Sequence, residues 1–172
     1  MRVEIFMVFM AIVFVLSGCG DKTPRTEARE EISSEQLAEI NRQLLIKDRE
    51  RITSYIKRKG LEMRETETGL WISADAKEKG GINEGDNISL EYECSLLDGT
   101  VVYDSDNEGL MRFTVGKSDI PSGLNEGVQL LGEGSEAILI IPGYLGYGLL
   151  GDEKKIPARS ILVYKVKVIE VY

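Results

Sequence analysis

Residues 88–106 read ISLEYECSLLDGTVVYDSD, and their first nine positions alternate strictly. Ile88, Leu90, Tyr92, Cys94 and Leu96 fall on one side, and Ser89, Glu91, Glu93 and Ser95 on the other, which is the period of two of a half-buried strand. Asp98-Gly99 then supplies turn chemistry before the next extended run. The same period recurs in Met111, Phe113 and Val115, in Ala137, Leu139 and Ile141, and in Leu162, Tyr164, Val166 and Val168 opposite Lys165 and Lys167. Strands that are apolar on one side and polar on the other predict an antiparallel sheet. Between Val115 and Ala137 a short helix is predicted, opened by Pro121 and closed by Gly132, with Leu124, Val128 and Leu131 on one face. One short helix lying across a curved antiparallel sheet is an α+β fold.

Working outward, residues 61–172 are predicted to be the folded domain and residues 33–60 a helix in front of it. Ser33 with Gln36 makes a capping box, and Gly60 follows Lys57, Arg58 and Lys59 in the last turn. Leu37, Ile40, Leu44, Ile52, Tyr55 and Ile56 form an apolar stripe that falters at Asp48, so the helix is expected to pack only partly on the domain, leaving a spacer or self-association role open. Residues 20–32 are polar and contain Pro24, as a tether would be. Ile5 to Leu16 is an apolar run of 12 residues. That is too short for a helix crossing a ~30 Å hydrocarbon core, and suits the core of a signal peptide over residues 1–18. It ends in Leu16-Ser17-Gly18-Cys19, which resembles the lipobox of bacterial lipoproteins. The resemblance implies cleavage before Cys19, acylation of its sulfur and amine, and a lipid-anchored place in the bacterial cell envelope.

Composition excludes several functions. The 21 basic and 29 acidic residues give a net charge of −8, a poor balance for binding nucleic acid, whose affinity rests on Lys and Arg displacing counterions. Histidine is absent, which removes the commonest general base and metal ligand. With Cys19 lipidated, Cys94 has no partner for an intramolecular disulfide and reads as a small core residue. Asp104, Asp106, Glu108 and Gly109 look like the start of a calcium loop, yet its twelfth position is Val115 where a bidentate Glu belongs. The glycines of GYLGYG, residues 143–148, lack dinucleotide-binding spacing. No metal and no cofactor are predicted.

The order of motifs carries a resemblance. Gly85-Asp86, the strand with Tyr92, the Asp98-Gly99 turn and Tyr103-Asp104-Ser105 come first. VGKSDIPSGLNEGVQLLGEGSEA (115–137), IPGYLGYGLLGDEKKIP (141–157) and LVYKVKVIEV (162–171) follow. Together they resemble the FK506-binding protein family of peptidyl-prolyl isomerases, and the lipid-anchored, helix-prefixed form is similar to isomerases of gliding bacteria. The resemblance implies a curved antiparallel sheet wrapped around one short helix. It also implies isomerisation of X-Pro bonds in polypeptides, and binding of FK506-like macrolides. Prolyl rotation has a barrier of about 18 to 20 kcal/mol set by amide resonance. A dry pocket favours the twisted, less dipolar state, so neither nucleophile nor proton shuttle is required.

Carried over position by position, the family's pocket would be lined by Tyr92, Tyr103, Asp104, Met111, Phe113, Ile120, Pro121, Leu124, Tyr147, Ile156 and Tyr164. Asp104, Tyr147 and Tyr103 would act on the substrate: Asp104 as the pocket-wall acid, Tyr147 as hydroxyl donor. Pro121 has no N–H, so a bond to a substrate carbonyl would come from Ile120. Leu124 stands where the family usually has tryptophan, and the one tryptophan, Trp71, is placed in the first strand. Tyr103 and Tyr164 stand where phenylalanine is commoner. Without the resemblance, Tyr92, Phe113, Leu124 and Tyr164 read simply as core. The alternative function is a binding or chaperone-like module of the same fold with little turnover.

Overall fold

The structure is a computed structural model that describes residues 33–73 and 81–172. The predicted signal peptide, Cys19 and the tether to residue 32 lie outside the described residues.

Helix α1 (Ser34–Lys59) comes first, followed by the short strands β1 (Met63–Glu65) and β2 (Trp71–Ser73). The long β3 (Asn87–Leu96) leads through the Asp98-Gly99 turn into β4 (Val101–Asp104), the single-turn helix α2 (Ser105–Glu108) and β5 (Met111–Thr114). Helix α3 (Ser122–Gln129), β6 (Glu136–Ile141), a 3₁₀ turn (Gly143–Leu145) and β7 (Leu162–Val171) complete the chain. Among the described residues the sheet has seven strands in the order β1-β2-β6-β7-β3-β4, with β5 sharing the outer edge of β3. Every pairing is antiparallel.

Alternation along the strands sorts the side chains into two layers. Tyr103, Cys94, Tyr164 and Leu139 stand opposite one another on β4, β3, β7 and β6, forming one row across the concave face. Helix α3 lies on that face with Leu124 and Val128 fully buried, and Leu131 beyond its end is equally enclosed. The approach is close because Gly123 and Gly127, one turn apart, face β6. A Cβ on Gly123 would stand 2.6 Å from Ile141 Cγ2, and one on Gly127 2.5 Å from Leu139 Cδ1.

The convex face is covered too, which the strand pattern alone did not indicate. Ile52 and Tyr55 of α1 pack with Ile140, Ile161 and Val163, and Trp71, Ile138 and Leu97 border this second core. Trp71 lies in the second strand, not the first, because Met63–Glu65 forms a three-residue strand ahead of it. The stripe of α1 does not fail at Asp48. That side chain is buried against the domain, where Arg159 reaches its carboxylate at 3.4 Å and Arg51 at 3.7 Å. The half of α1 from Asp48 onward is therefore docked, while Leu37 and Ile40 remain exposed.

Candidate active site

Above the concave row is a hollow of about 560 Å³, within the range of small-molecule sites. Tyr92, Tyr103, Met111, Tyr147 and Tyr164 line it, five of the eleven residues expected there. The other six do not. Phe113, Leu124 and Ile156 belong to the core around α3, at 7%, 0% and 3% exposure, and Ile120 packs against that core half-buried. Pro121 is buried at the start of α3, where its carbonyl accepts from the N–H groups of Leu124 and Asn125, both at 3.0 Å. The Ile120 N–H is already committed to the Ser118 carbonyl at 2.9 Å, so it is not presented to a ligand.

Asp104 is absent from the hollow for a physical reason. Its strand partner is Glu93, which pairs onward with Lys165, so its backbone position belongs to the polar outer row rather than the concave one. Its carboxylate caps α2, accepting from Asn107 N at 2.8 Å and from Asn107 Nδ2 at 2.8 and 2.9 Å. Those bonds to Asn107 hold the carboxyl below the usual carboxylate range.

The acid that Tyr103 meets at the wall of the hollow is Asp152. The Tyr103 hydroxyl donates to its Oδ2, while Oδ1 accepts from Lys154 N at 2.9 Å and Ile156 N at 2.7 Å. Burial alone would raise this carboxyl, but the Tyr103 hydroxyl and the Ile156 and Lys154 N–H groups outweigh it and the group sits low. The same bond pushes the Tyr103 phenol up to about 12. The Lys155 ammonium stands 4.4 Å from the Tyr103 ring centroid and 3.1 Å from Glu108 Oε1. The one local sign of Asp152 in the sequence is its place just past a glycine, Gly151-Asp152, which is turn chemistry.

At the base of the hollow, Tyr164 is 1% exposed, with its ring centroid 6.4 Å from that of Tyr92. Its hydroxyl lies near the Cys94 thiol and the Tyr147 hydroxyl. Burial raises all three groups, Cys94 to about 12, so each stays protonated at neutral pH. Ser105 closes the gap where β4 departs from β3, its hydroxyl lying 3.2 Å from the N and 3.3 Å from the O of Tyr92. The arrangement is a ring-lined recess with protonated phenols at its base and acids, Glu108, Asp119, Asp152 and Glu153, among its lining.

Residues 78–169 match the family model for FKBP-type peptidyl-prolyl cis-trans isomerases. A probable FKBP-type isomerase, FkpA, from Neisseria meningitidis is 41% identical over 86 residues, covering 50% of this chain and 31% of that protein. A probable isomerase of this type from Haemophilus influenzae is 31% identical over 114 residues, covering 66% of the chain and 47% of that protein. The chain thus spans under half of the length of either relative. Among solved structures, FkpA from Escherichia coli aligns with a TM-score of 0.63 at 24% identity, covering 98% of this chain and 70% of that one. AtFKBP13 aligns with a TM-score of 0.58 at 25% identity, covering 64% and 99%.

Proposed function

Since the chain belongs to the FKBP-type peptidyl-prolyl cis-trans isomerase family, we propose that its hollow binds X-Pro segments of exported polypeptides and speeds their rotation. The supporting observation is the recess formed by Tyr92, Met111, Tyr147 and Tyr164. It is large enough for a pyrrolidine ring, and the Tyr92 and Tyr164 rings that line it are buried. A planar imide is the better solvated, more dipolar state, so moving it against rings and a thioether favours the twisted form. Tyr147 lines the recess, where its hydroxyl proton would meet a substrate carbonyl. That bond strengthens if the carbonyl gains charge on twisting, and the step needs no covalent intermediate.

The location proposed is the bacterial cell envelope, with the chain held by acyl groups on Cys19. Labelled palmitate incorporated into wild type and absent from Cys19→Ala would support the anchor. Macrolides of the FK506 type are proposed as ligands of the same recess.

A second reading, binding with little turnover, is favoured by two particulars: the Ile120 N–H is used internally, and the short helix offers Leu124, fully enclosed, instead of a ring. A protease-coupled assay on a short X-Pro peptide, run with the purified full chain in mild detergent, separates them. Acceleration in proportion to protein supports the isomerase. A folded sample, judged by near-ultraviolet circular dichroism, that leaves the rate unchanged supports the binding module.

A further inference from the structure

The loop from Tyr147 to Ile156 carries one working phenol and much of the wall of the hollow, since Leu150, Gly151, Asp152, Glu153 and Lys154 all face it. Loops of this exposure cost conformational entropy to hold in one arrangement. Ile156 anchors the end of the loop at 3% exposure, but Leu149 and Leu150 are 75% and 77% exposed, so burial of apolar side chains does not hold its middle. Something else must.

Within the loop, Gly151 sits at φ +74° because the Ile156 carbonyl crowds the space a Cβ would fill, and the Asp152 N–H donates to that carbonyl at 3.2 Å. The loop is thereby folded back on itself with the Asp152 carboxylate at its centre. Among the described residues, two side-chain contacts tie the middle of this folded loop to β4 and α2 across the hollow. One is the Tyr103 hydroxyl on Asp152; the other is Lys155, over the Tyr103 ring and on Glu108. The second is an exposed ion pair of small value. The first is a charge-assisted bond whose acceptor is fixed by two backbone donors, the stronger and better oriented kind. It also requires both residue types at once, a phenol at 103 and a carboxylate at 152.

We propose that Asp152 is a positioning residue for prolyl isomerisation, which acts by clasping Tyr103 and so holding the Tyr147–Ile156 loop closed over the hollow. The inference rests on the isomerase reading. Asp152 does not touch the reacting bond; it sets the fraction of molecules in which the recess is complete. A substrate that binds only the closed form has its apparent affinity reduced by that fraction, so the effect falls on KM and leaves kcat nearly alone.

The test compares wild type, Asp152→Ala, Asp152→Asn, Tyr103→Phe and the Asp152→Ala/Tyr103→Phe double variant, each as the full chain in mild detergent. Two measurements are made: steady-state isomerisation of an X-Pro peptide, and amide hydrogen exchange over residues 148–157. Each single variant is expected to raise KM about five- to tenfold, the scale of one such hydrogen bond, with kcat within about twofold. The double variant is expected to be no worse than the worse single, because both remove the same bond. Exchange of the Lys154 and Ile156 amides should accelerate in the Asp152 variants while β7 is unchanged. The inference is overturned if exchange accelerates with KM unmoved, if exchange does not change, or if the singles multiply in the double. A wild type without turnover would instead overturn the isomerase reading, and exchange would still report whether the clasp holds the loop.

Discussion

Placing a methyl on Gly123 tests whether helix α3 is pressed onto the sheet by design of its glycines. Alanine in place of glycine inside a helix is ordinarily worth about 0.5 to 1 kcal/mol of stability through backbone entropy alone. Here the new Cβ would lie 2.6 Å from Ile141 Cγ2, 3.1 Å from Leu145 Cβ and 3.3 Å from the Leu145 carbonyl oxygen. Ile141 is fully enclosed, so its methyl cannot swing aside, and the Leu145 carbonyl belongs to the backbone of the 3₁₀ turn. Overpacking of this kind costs about 1 to 3 kcal/mol, which exceeds the helix gain and leaves a net loss of roughly 1 to 2 kcal/mol. For a domain of this size that corresponds to a fall in Tm of about 3 to 8 °C. Urea unfolding of Gly123→Ala against wild type at neutral pH would read it as a lowered midpoint with unchanged slope. Because Leu145 lies two residues before Tyr147, peptide KM should rise in the same variant. A Gly123→Ala protein as stable as wild type, or more stable, would refute the claim that close helix–sheet approach sets the depth of the hollow.

Tyr147→Phe keeps the packing and removes one hydroxyl, so kcat/KM should fall about tenfold with no change in melting temperature, measured by the coupled peptide assay. Asp104→Ala should do the reverse, costing about 1 kcal/mol through the lost cap of α2 while kcat/KM moves less than in Tyr147→Phe. Ile52→Ala should lose about 2 to 4 kcal/mol in urea unfolding if the second core fastens α1 to the domain, whereas a loss under about 0.5 kcal/mol would mean α1 is a spacer. The raised Cys94 thiol predicts alkaline behaviour. Its folded-state value lies above the ordinary 9.0, so its share of stability is complete below pH 9.0 and is lost as pH rises toward about 12. The slope is at most about 1.4 kcal/mol per pH unit, since the unfolded thiol ionises first. Urea midpoints taken just below and just above pH 9.0 should therefore diverge less in Cys94→Ala than in wild type.

The concave half of the fold was legible because it obeys a single rule. In β3, β6 and β7 every second residue faces α3, and a pattern of two survives tertiary packing when one face is covered by one element. The helix at 34–59 was legible by its ends, since capping and glycine chemistry are local. What escaped were contacts set by register. Asp48 reads as a break in a stripe until Arg159, 111 residues later, is known to meet it. Trp71 reads as part of a first strand because three-residue strands such as Met63–Glu65 are too short to show a period.

The exchange of Asp104 for Asp152 has the sharpest cause. Tyr103 and Asp104 are neighbours in sequence, which suggests one site, but successive strand residues point to opposite faces. Between β3 and β4 the register then slips: Ser95 stands opposite Val101 and Cys94 opposite Tyr103, so Val102 is an extra residue on β4. A bulge of this kind turns the strand locally and re-aims the side chains beyond it. With Tyr103 in the row of Cys94 and Tyr164, Asp104 falls into the row of Glu93 and Lys165, where Asn107 binds both of its oxygens. The hydroxyl at 103 then needs an acceptor from across the hollow, and the nearest carboxylate fixed by backbone donors is Asp152. Had the pairing run on from Ser95–Val101 without a bulge, Val102 would stand opposite Cys94, Tyr103 opposite Glu93 and Asp104 opposite Tyr92, and the acid beside the tyrosine would face inward. The bulge at Val102 thus decides which acid Tyr103 meets, and deleting Val102, which leaves Tyr103 opposite Cys94 and Asp104 opposite Glu93, should preserve the Tyr103–Asp152 bond.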